Sequence, residues 1–564
     1  MTTRKPRRLT TAGIGRRDWL KAAAIVPAVS VLRPVPSADA AVPEPPGSTV
    51  TLSTDTKAIV ETTSGRVRGF IRNGIFTWKG IPYGATTEAA GRFMPPSKPK
   101  AWAGIRSTMY YGPTCPQVPR SGWLNDENAF LFQWDDGQPG EDCLRVNVWS
   151  PGVGGGGRRP VLFWIHGGAF TAGSGQEQPA YNGENLARRG DVVVVSVNHR
   201  LGALGYLHLA DFGERYASSG NVGMLDLVAA LEWVRDNIAN FGGDPGNVTI
   251  FGQSGGGSKV GTLMAMPSAK GLLHKAVVQS GSGLRMVAAD DAAKLAAQVL
   301  AELQISKAQI DRLHAVPAQQ LIAAQMAAEK KMAAPAPVRN PLANRAGWGP
   351  VVDGRILPSH PFDPAAPAYS AAIPMLIGTV LNETSPSQSD PKPELMTEPE
   401  MRAEVARRFG SRSEAIVAEA LKLHPSVKPI ELLSIIQRPR SAAILQATRK
   451  AAQGAAPAYL YLFAWQTPVL DGRPRAFHCS EIPFVFDNTD VSAFATGGGP
   501  EAKVLAARVS DAWIAFARTG NPNHPGLPAW PPFNPSTGPL MVFDTTCRVA
   551  SDPDRQLRRL VDEA

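Results

Sequence analysis

Five short runs of the chain are apolar at nearly every position, not at alternate ones. They are residues 160–165 (Pro-Val-Leu-Phe-Trp-Ile), 191–198 (Asp-Val-Val-Val-Val-Ser-Val-Asn), 247–252, 275–280 and 374–379. A run that is apolar on both faces predicts a central strand of a covered parallel sheet. Between the second and third runs, residues 224–240 place Leu227, Ala230, Leu231, Val234 and Ile238 three or four positions apart, a helical spacing. Strand, helix and strand in succession predict an α/β fold, with a central, mostly parallel sheet flanked by helices. Residues 49–76 carry short β-rich pieces that predict an antiparallel edge, and the glycines of 152–159 predict a turn between strands. Residues 286–345 and 393–450 are helical in character. They are expected as insertions covering one end of the sheet.

The chain of 564 residues is 43% hydrophobic and 19% charged, enough to bury one large core. Its net charge of +10 suggests nucleic acid or membrane only until the charges are located. Residues 1–40 hold eight basic side chains (Arg4, Lys5, Arg7, Arg8, Arg16, Arg17, Lys21, Arg33) and two acidic ones, Asp18 and Asp39; the remainder carries +4. No other basic block interleaved with aromatics occurs, so a nucleic-acid partner is not expected. In the same forty residues, Arg16-Arg17 precede Trp19-Leu20, a weakly apolar run from Ala22 to Leu32, and Ala38-Asp39-Ala40. That order resembles a twin-arginine export signal cleaved after Ala40. It implies export machinery as a partner and a periplasmic or secreted destination. The apolar run is too short to span a bilayer, and stable membrane insertion is not expected. A Pro-rich linker, 41–48, leads into the catalytic domain, 49–564. The four cysteines, Cys115, Cys143, Cys479 and Cys547, are too few for a disulfide scaffold; Cys115 and Cys143 allow either one bridge or two free thiols.

The chemistry lies where strands end. Residues 249–257 read Thr-Ile-Phe-Gly-Gln-Ser-Gly-Gly-Gly, with Gly252-x-Ser254-x-Gly256 directly after a predicted strand. A serine on a sharp strand-to-helix turn needs small residues two positions to either side, and the turn exposes its hydroxyl as a nucleophile. Upstream, His166-Gly167-Gly168-Ala169-Phe170 follows the strand at 160–165. Backbone N–H groups aimed at a tetrahedral oxyanion contribute about 3–4 kcal/mol each. The expected donors are Gly168, Ala169 and Gly255, with Gly167 permitting the turn and His166 structural.

These motifs, with Lys79-Gly80-Ile81-Pro82-Tyr83, Gly112-Pro113-Thr114-Cys115-Pro116-Gln117, Glu141-Asp142-Cys143-Leu144-Arg145-Val146-Asn147-Val148, Asn221-Val222-Gly223 and Phe241-Gly242-Gly243-Asp244-Pro245, resemble the type-B carboxylesterase family, the cholinesterase-like branch of the α/β-hydrolases. The resemblance runs from about Val60 to Phe543. It implies the α/β-hydrolase fold, hydrolysis of a small-molecule carboxylic ester, no cofactor or metal, and a Cys115–Cys143 bridge. It also implies an acid at Glu383, in Gly378-Thr379-Val380-Leu381-Asn382-Glu383, and a base at His478, before Glu481-Ile482-Pro483-Phe484-Val485-Phe486. The chain departs from the family where Gln253-Ser254-Gly255 stands in place of Glu-Ser-Ala. This replaces an acid beside the nucleophile by a neutral amide. Thr384 also follows the acid and Cys479 the base.

Chain order in this fold is Ser, acid, His. Glu383 lies just past the predicted strand 374–379, at the sheet's C-terminal edge, whereas the alternative acid, Asp353, precedes that strand. Of the later histidines, His424 at a helix end and His524 in a Pro-rich turn read as surface positions, leaving His478 as base. Amide, thioester and carbamate hydrolysis share the acyl-enzyme path and stay open as alternatives. A non-catalytic binding protein on the same fold is the other alternative, disfavoured because nucleophile, base and acid are all present.

Overall fold

The computed structural model describes residues 51–563, apart from the short stretches 53–55, 120–125, 155–157, 333–341, 344 and 438–439. The expected export signal and linker lie outside the described residues. Twelve strands among the described residues form one sheet: β1 (Thr51–Leu52), β2 (Phe70–Arg72), β3 (Ile75–Pro82), β4 (Arg145–Ser150), β5 (Arg159–Ile165), β6 (Val193–Val197), β7 (Gly243–Gln253), β8 (Lys275–Gln279), β9 (Met375–Val380), β10 (Ala458–Phe463), β11 (Pro539–Phe543) and β12 (Arg548–Ser551). Their spatial order is β1-β2-β3-β4-β6-β5-β7-β8-β9-β10-β11-β12. The strands from β6 to β11 pair in parallel, and both edges are antiparallel.

Side chains along a strand point alternately to the two faces, and here both faces are covered. Val161, Phe163 and Ile165 enter one apolar cluster, while Leu162 and Trp164 enter another. Val193, Val195 and Val197 divide from Val194 in the same way. Each such side chain stabilises the fold by roughly 1.5–3 kcal/mol on burial. Helix α1 (Val222–Asn237) covers one face, and its buried Asp226 is paired with Arg200 at 2.6 Å. That pair holds the turn after β6, since Asp226 also accepts from the Arg200 amide.

Helices occupy both stretches whose sequence is helical in character. Residues 286–345 contain helices Ala289–Glu302 and Ala318–Met332; residues 393–450 contain Glu398–Phe409, Ser413–Leu423, Pro429–Gln437 and Ser441–Ala451. Glu398–Phe409, Ser413–Leu423 and Pro429–Gln437 share a small core of their own with Leu557 and Val561 of the C-terminal helix. Among the described residues no helix is long and apolar enough to cross a membrane.

The expected Cys115–Cys143 bridge is not formed: both residues are free thiols. The two side chains are buried neighbours. A hydrogen bond to the Cys115 thiol, then burial, pushes the Cys143 thiol well above its ordinary pKa. Cys115 Sγ in turn accepts the Leu201 amide at 3.3 Å.

Candidate active site

Strand β7 ends at Gln253 and helix α2 (Gly255–Leu263) begins two residues later. Ser254 between them has φ 56° and ψ −123°, a strained backbone for a residue with a side chain. Its amide donates to Gln279 O of the neighbouring strand at 2.8 Å, and its carbonyl accepts from Ser258 N at 3.1 Å. The flanking glycines are set by close approach. A Cβ on Gly252 would lie 2.6 Å from Ile165 O, and one on Gly256 would lie 2.0 Å from the same oxygen. Half-buried Ser254 makes no hydrogen bond through its hydroxyl among the described residues.

The turn at 166–170 differs in detail from the expected one. Gly168 (φ 79°) and Ala169 (φ 52°) carry the left-handed conformation, not Gly167. Gly167 instead sits close against the elbow: a Cβ there would lie 3.2 Å from Gln253 O, a tight fit. Gly255 is explained likewise: a Cβ would lie 2.1 Å from Ala169 O, so the alanine usual in Glu-Ser-Ala would collide with this loop. The amides of Gly168, Ala169 and Gly255 have no acceptor among the described residues. His166 is structural, as expected: buried, stacked on His199 with centroids 4.9 Å apart, and linked through Nδ1 to Gly167 O at 3.0 Å.

Glu383 and His478 meet because two loops pair. Asn382 forms a parallel bridge with Phe477, its amide donating to Ala476 O at 3.0 Å. The next residue of each loop is Glu383 and His478, joined from Glu383 Oε2 to His478 Nδ1 at 2.6 Å. The second oxygen of Glu383 accepts the Val380 amide at 3.2 Å, locking the carboxylate onto the end of β9. Ser254 and His478 are not hydrogen-bonded to each other. Gln253 Nε2 stands 3.3 Å from His478 Nε2, and Gln253 Oε1 accepts from Cys479 Sγ at 3.0 Å. Catalytic hydrogen bonds are often long or absent before substrate arrives.

The alternatives have other occupations. Asp353 Oδ1 accepts the amides of Arg355, Ile356 and Leu357, and its other oxygen binds Asn221. His424 closes the helix Ser413–Leu423, and His524 bonds Arg508 O at 2.9 Å; both are half-buried, not surface side chains. Sequence reasoning missed two buried charged groups. Glu481 Oε1 accepts from Gln279 Nε2 at 3.3 Å, and Oε2 has no partner among the described residues. Burial, then the Glu383 charge, raise its carboxyl to about 7. Lys259, fully buried on α2, is lowered to about 7 by desolvation. The signal for both was a charge set inside or directly before an apolar segment. No group of three or more His, Cys, Asp or Glu side chains among the described residues is arranged to hold a metal ion.

A doubly covered parallel sheet, a strained serine at its C-terminal edge and a carboxylate-held histidine beside it define a hydrolase of the α/β class. Comparison narrows this. The profile of the Carboxylesterase family matches residues 56–420 and 438–558. The chain is 36% identical over 511 residues to para-nitrobenzyl esterase of Bacillus subtilis, covering 89% of this chain and 98% of that protein. It is 33% identical to phenmedipham hydrolase of Pseudarthrobacter oxydans, covering 88% and 97%. A carboxylesterase structure from Geobacillus stearothermophilus superposes with a TM-score of 0.74 at 37% identity, covering 89% of this chain and all of that one. The chain belongs to the carboxylesterase family and is a carboxylic ester hydrolase.

Proposed function

We propose that Ser254, His478 and Glu383 act as nucleophile, base and orienting acid, and that the ester is cleaved through an acyl-enzyme on Ser254. The observation that carries this reading is the 2.6 Å bond from Glu383 to His478 Nδ1 beside the strained Ser254 elbow. With Nδ1–H held by the carboxylate, Nε2 is the free base. It takes the Ser254 proton as Oγ attacks the ester carbonyl. The oxyanion then rests on the amides of Gly168, Ala169 and Gly255, none of which must break an existing bond to receive it. His478 returns the proton to the leaving alcohol. Water activated by the same nitrogen cleaves the acyl-enzyme. A small movement of the Gln253 amide away from Nε2 accompanies the approach of Ser254.

A fluorophosphonate probe followed by peptide mass mapping tests this. Wild type takes one adduct, on Ser254, and Ser254→Ala takes none while hydrolysis of p-nitrophenyl butyrate falls by about 10⁴-fold or more. An adduct on another residue, or hydrolysis persisting in Ser254→Ala, rules the assignment out. Residues 1–40 are proposed as the export signal. Full-length chain carrying Arg16→Lys and Arg17→Lys should then stay in the cytoplasm on cell fractionation, and export of that variant would contradict the proposal.

A further inference from the structure

The oxyanion loop is tied down carbonyl by carbonyl. Gly168 O accepts from Ala172 N at 3.0 Å, Phe170 O from Gly202 N at 2.8 Å, and Gly167 O faces His166 Nδ1. The carbonyl of His166 is held differently, by the ammonium of Lys259 at 3.1 Å. Lys259 lies on α2, the helix whose first residue, Gly255, supplies the third amide. One side chain therefore spans the two pieces of backbone from which the oxyanion donors come.

The ammonium is an expensive choice for that place. It is fully buried, has one hydrogen-bond acceptor, and makes no ion pair within 4.0 Å among the described residues. Glu177 attracts it from a distance and Arg345 repels it. Both cations flank the Phe170 ring, Lys259 Nζ at 5.5 Å and Arg345 Cζ at 4.5 Å from the centroid. Lys450 gives the contrast. Equally buried, it has three acceptors, Ser370 O, Ala371 O and Gln453 Oε1, at 2.9–3.0 Å, and so meets the full donor capacity of an ammonium. Lys450 satisfies itself as a structural lysine does; Lys259 is left with two donors unused. An apolar side chain of similar length would fill the same volume without the desolvation cost. A charge retained at such cost beside a nucleophile points to use in the reaction.

We propose that Lys259 is a positioning residue for ester hydrolysis, fixing the loop of Gly168 and Ala169 against the helix of Gly255 so that the three amides converge on one oxyanion. This rests on the Ser254 reading above. The donors must meet a developing charge to within a few tenths of an ångström, and a loosened loop forfeits part of each bond.

The test uses the full chain and Lys259→Met. The expected result is a fall in kcat for p-nitrophenyl butyrate of about tenfold to a hundredfold, with KM changed less than threefold. The inhibition constant of an alkyl trifluoromethyl ketone, whose adduct mimics the oxyanion, rises by the same factor, and Tm is unchanged or higher. Lys259→Gln, which keeps an N–H donor on a shorter arm, recovers part of the loss. It also carries the same comparison should the methionine variant not fold. Values of kcat and of the ketone inhibition constant within twofold of wild type overturn the proposal, as does a loss of activity that only follows a fall in Tm. Ser254→Ala separates the two readings. If it stays active, the acyl-enzyme assignment fails; if it is inactive while Lys259→Met matches wild type, only the role of Lys259 fails.

Discussion

The two sides of the candidate site differ in the groups that back them, basic on one and acidic on the other. Behind the oxyanion loop lie Lys259, Arg345 and the stacked imidazoles of His166 and His199. Burial and the Lys259 charge hold His199 well below its ordinary pKa. Behind His478 lie two carboxyl groups, Glu383 in direct contact and Glu481 buried nearby. Gln253 stands between the walls, with its amide on the imidazole and its carbonyl on Cys479. In the proposed mechanism, ester cleavage makes an oxyanion on one side and an imidazolium on the other. On that reading, basic and acidic groups already stand on the sides where negative and positive charge would develop, and such preorganised polarity lowers a barrier. The neutral Gln253 fits this arrangement, because an acid there would place a third carboxylate at the boundary.

The comparison can be broken hardest on the acidic wall. Glu383→Gln leaves the shape and removes the charge that fixes the imidazole tautomer; kcat is expected to fall by about 10³–10⁴-fold, read in steady-state hydrolysis. On the opposite wall, Gly255→Ala drives a methyl group into Ala169 O, where a Cβ would stand at 2.1 Å. The loop must retreat, and kcat should drop by about tenfold to a hundredfold with the trifluoromethyl ketone bound correspondingly more weakly.

Smaller effects sharpen the comparison through pH. Glu481 titrates near 7 in the fold, above its unfolded value, so the folded state holds the extra proton between about pH 4.5 and 7. Stability from this group is intact below the unfolded pKa and lost as pH rises through 7. Glu481→Gln should therefore gain Tm relative to wild type on going from pH 5 to pH 8, by about one or two degrees in a thermal melt. Lys259 runs the opposite way. Its folded pKa of about 7 lies below the unfolded one, so its charge-burial penalty is full below pH 7 and fades towards pH 10.5. Glu177, Arg345 and His199 are the charged or titratable groups that bear on it. The Tm advantage of Lys259→Met over wild type should be largest near pH 6 and smallest near pH 10. Equal advantages at both would contradict a buried ammonium.

What the sequence made legible follows from which residues act locally. The runs at 160–165, 191–198 and 374–379 announce buried strands because apolar residues fall on both faces, and β5, β6 and β9 lie there within two residues. Strand β10 (Ala-Tyr-Leu-Tyr-Leu-Phe) is just as buried, but its two tyrosines make it read less clearly as a run apolar on both faces. Gly252, Ser254 and Gly256 were readable because a sharp turn restricts its own residues. The meeting of Glu383 and His478 depends on the Asn382–Phe477 bridge between segments 95 positions apart, which no local pattern encodes. Lys259 was easily passed over, because a lone charge inside a largely apolar segment is a weak sign of burial beside the stronger elbow motif. The neighbourhood of Cys115 and Cys143 was implied by resemblance, but a shared location does not make a bond, and the structure holds two thiols.

The central claim is that one oxygen of the tetrahedral intermediate faces the basic wall while the imidazole faces the acidic one. A crystal structure of the protein with an alkyl trifluoromethyl ketone tests it most directly. The account predicts a bond from Ser254 Oγ to the ketone carbon. The oxyanion should lie within about 3.1 Å of the amides of Gly168, Ala169 and Gly255, with His478 Nε2 within hydrogen-bonding distance of Ser254 Oγ and Nδ1 still on Glu383. An adduct whose oxygen turns towards Gln253 and His478, leaving those three amides unused, would contradict it.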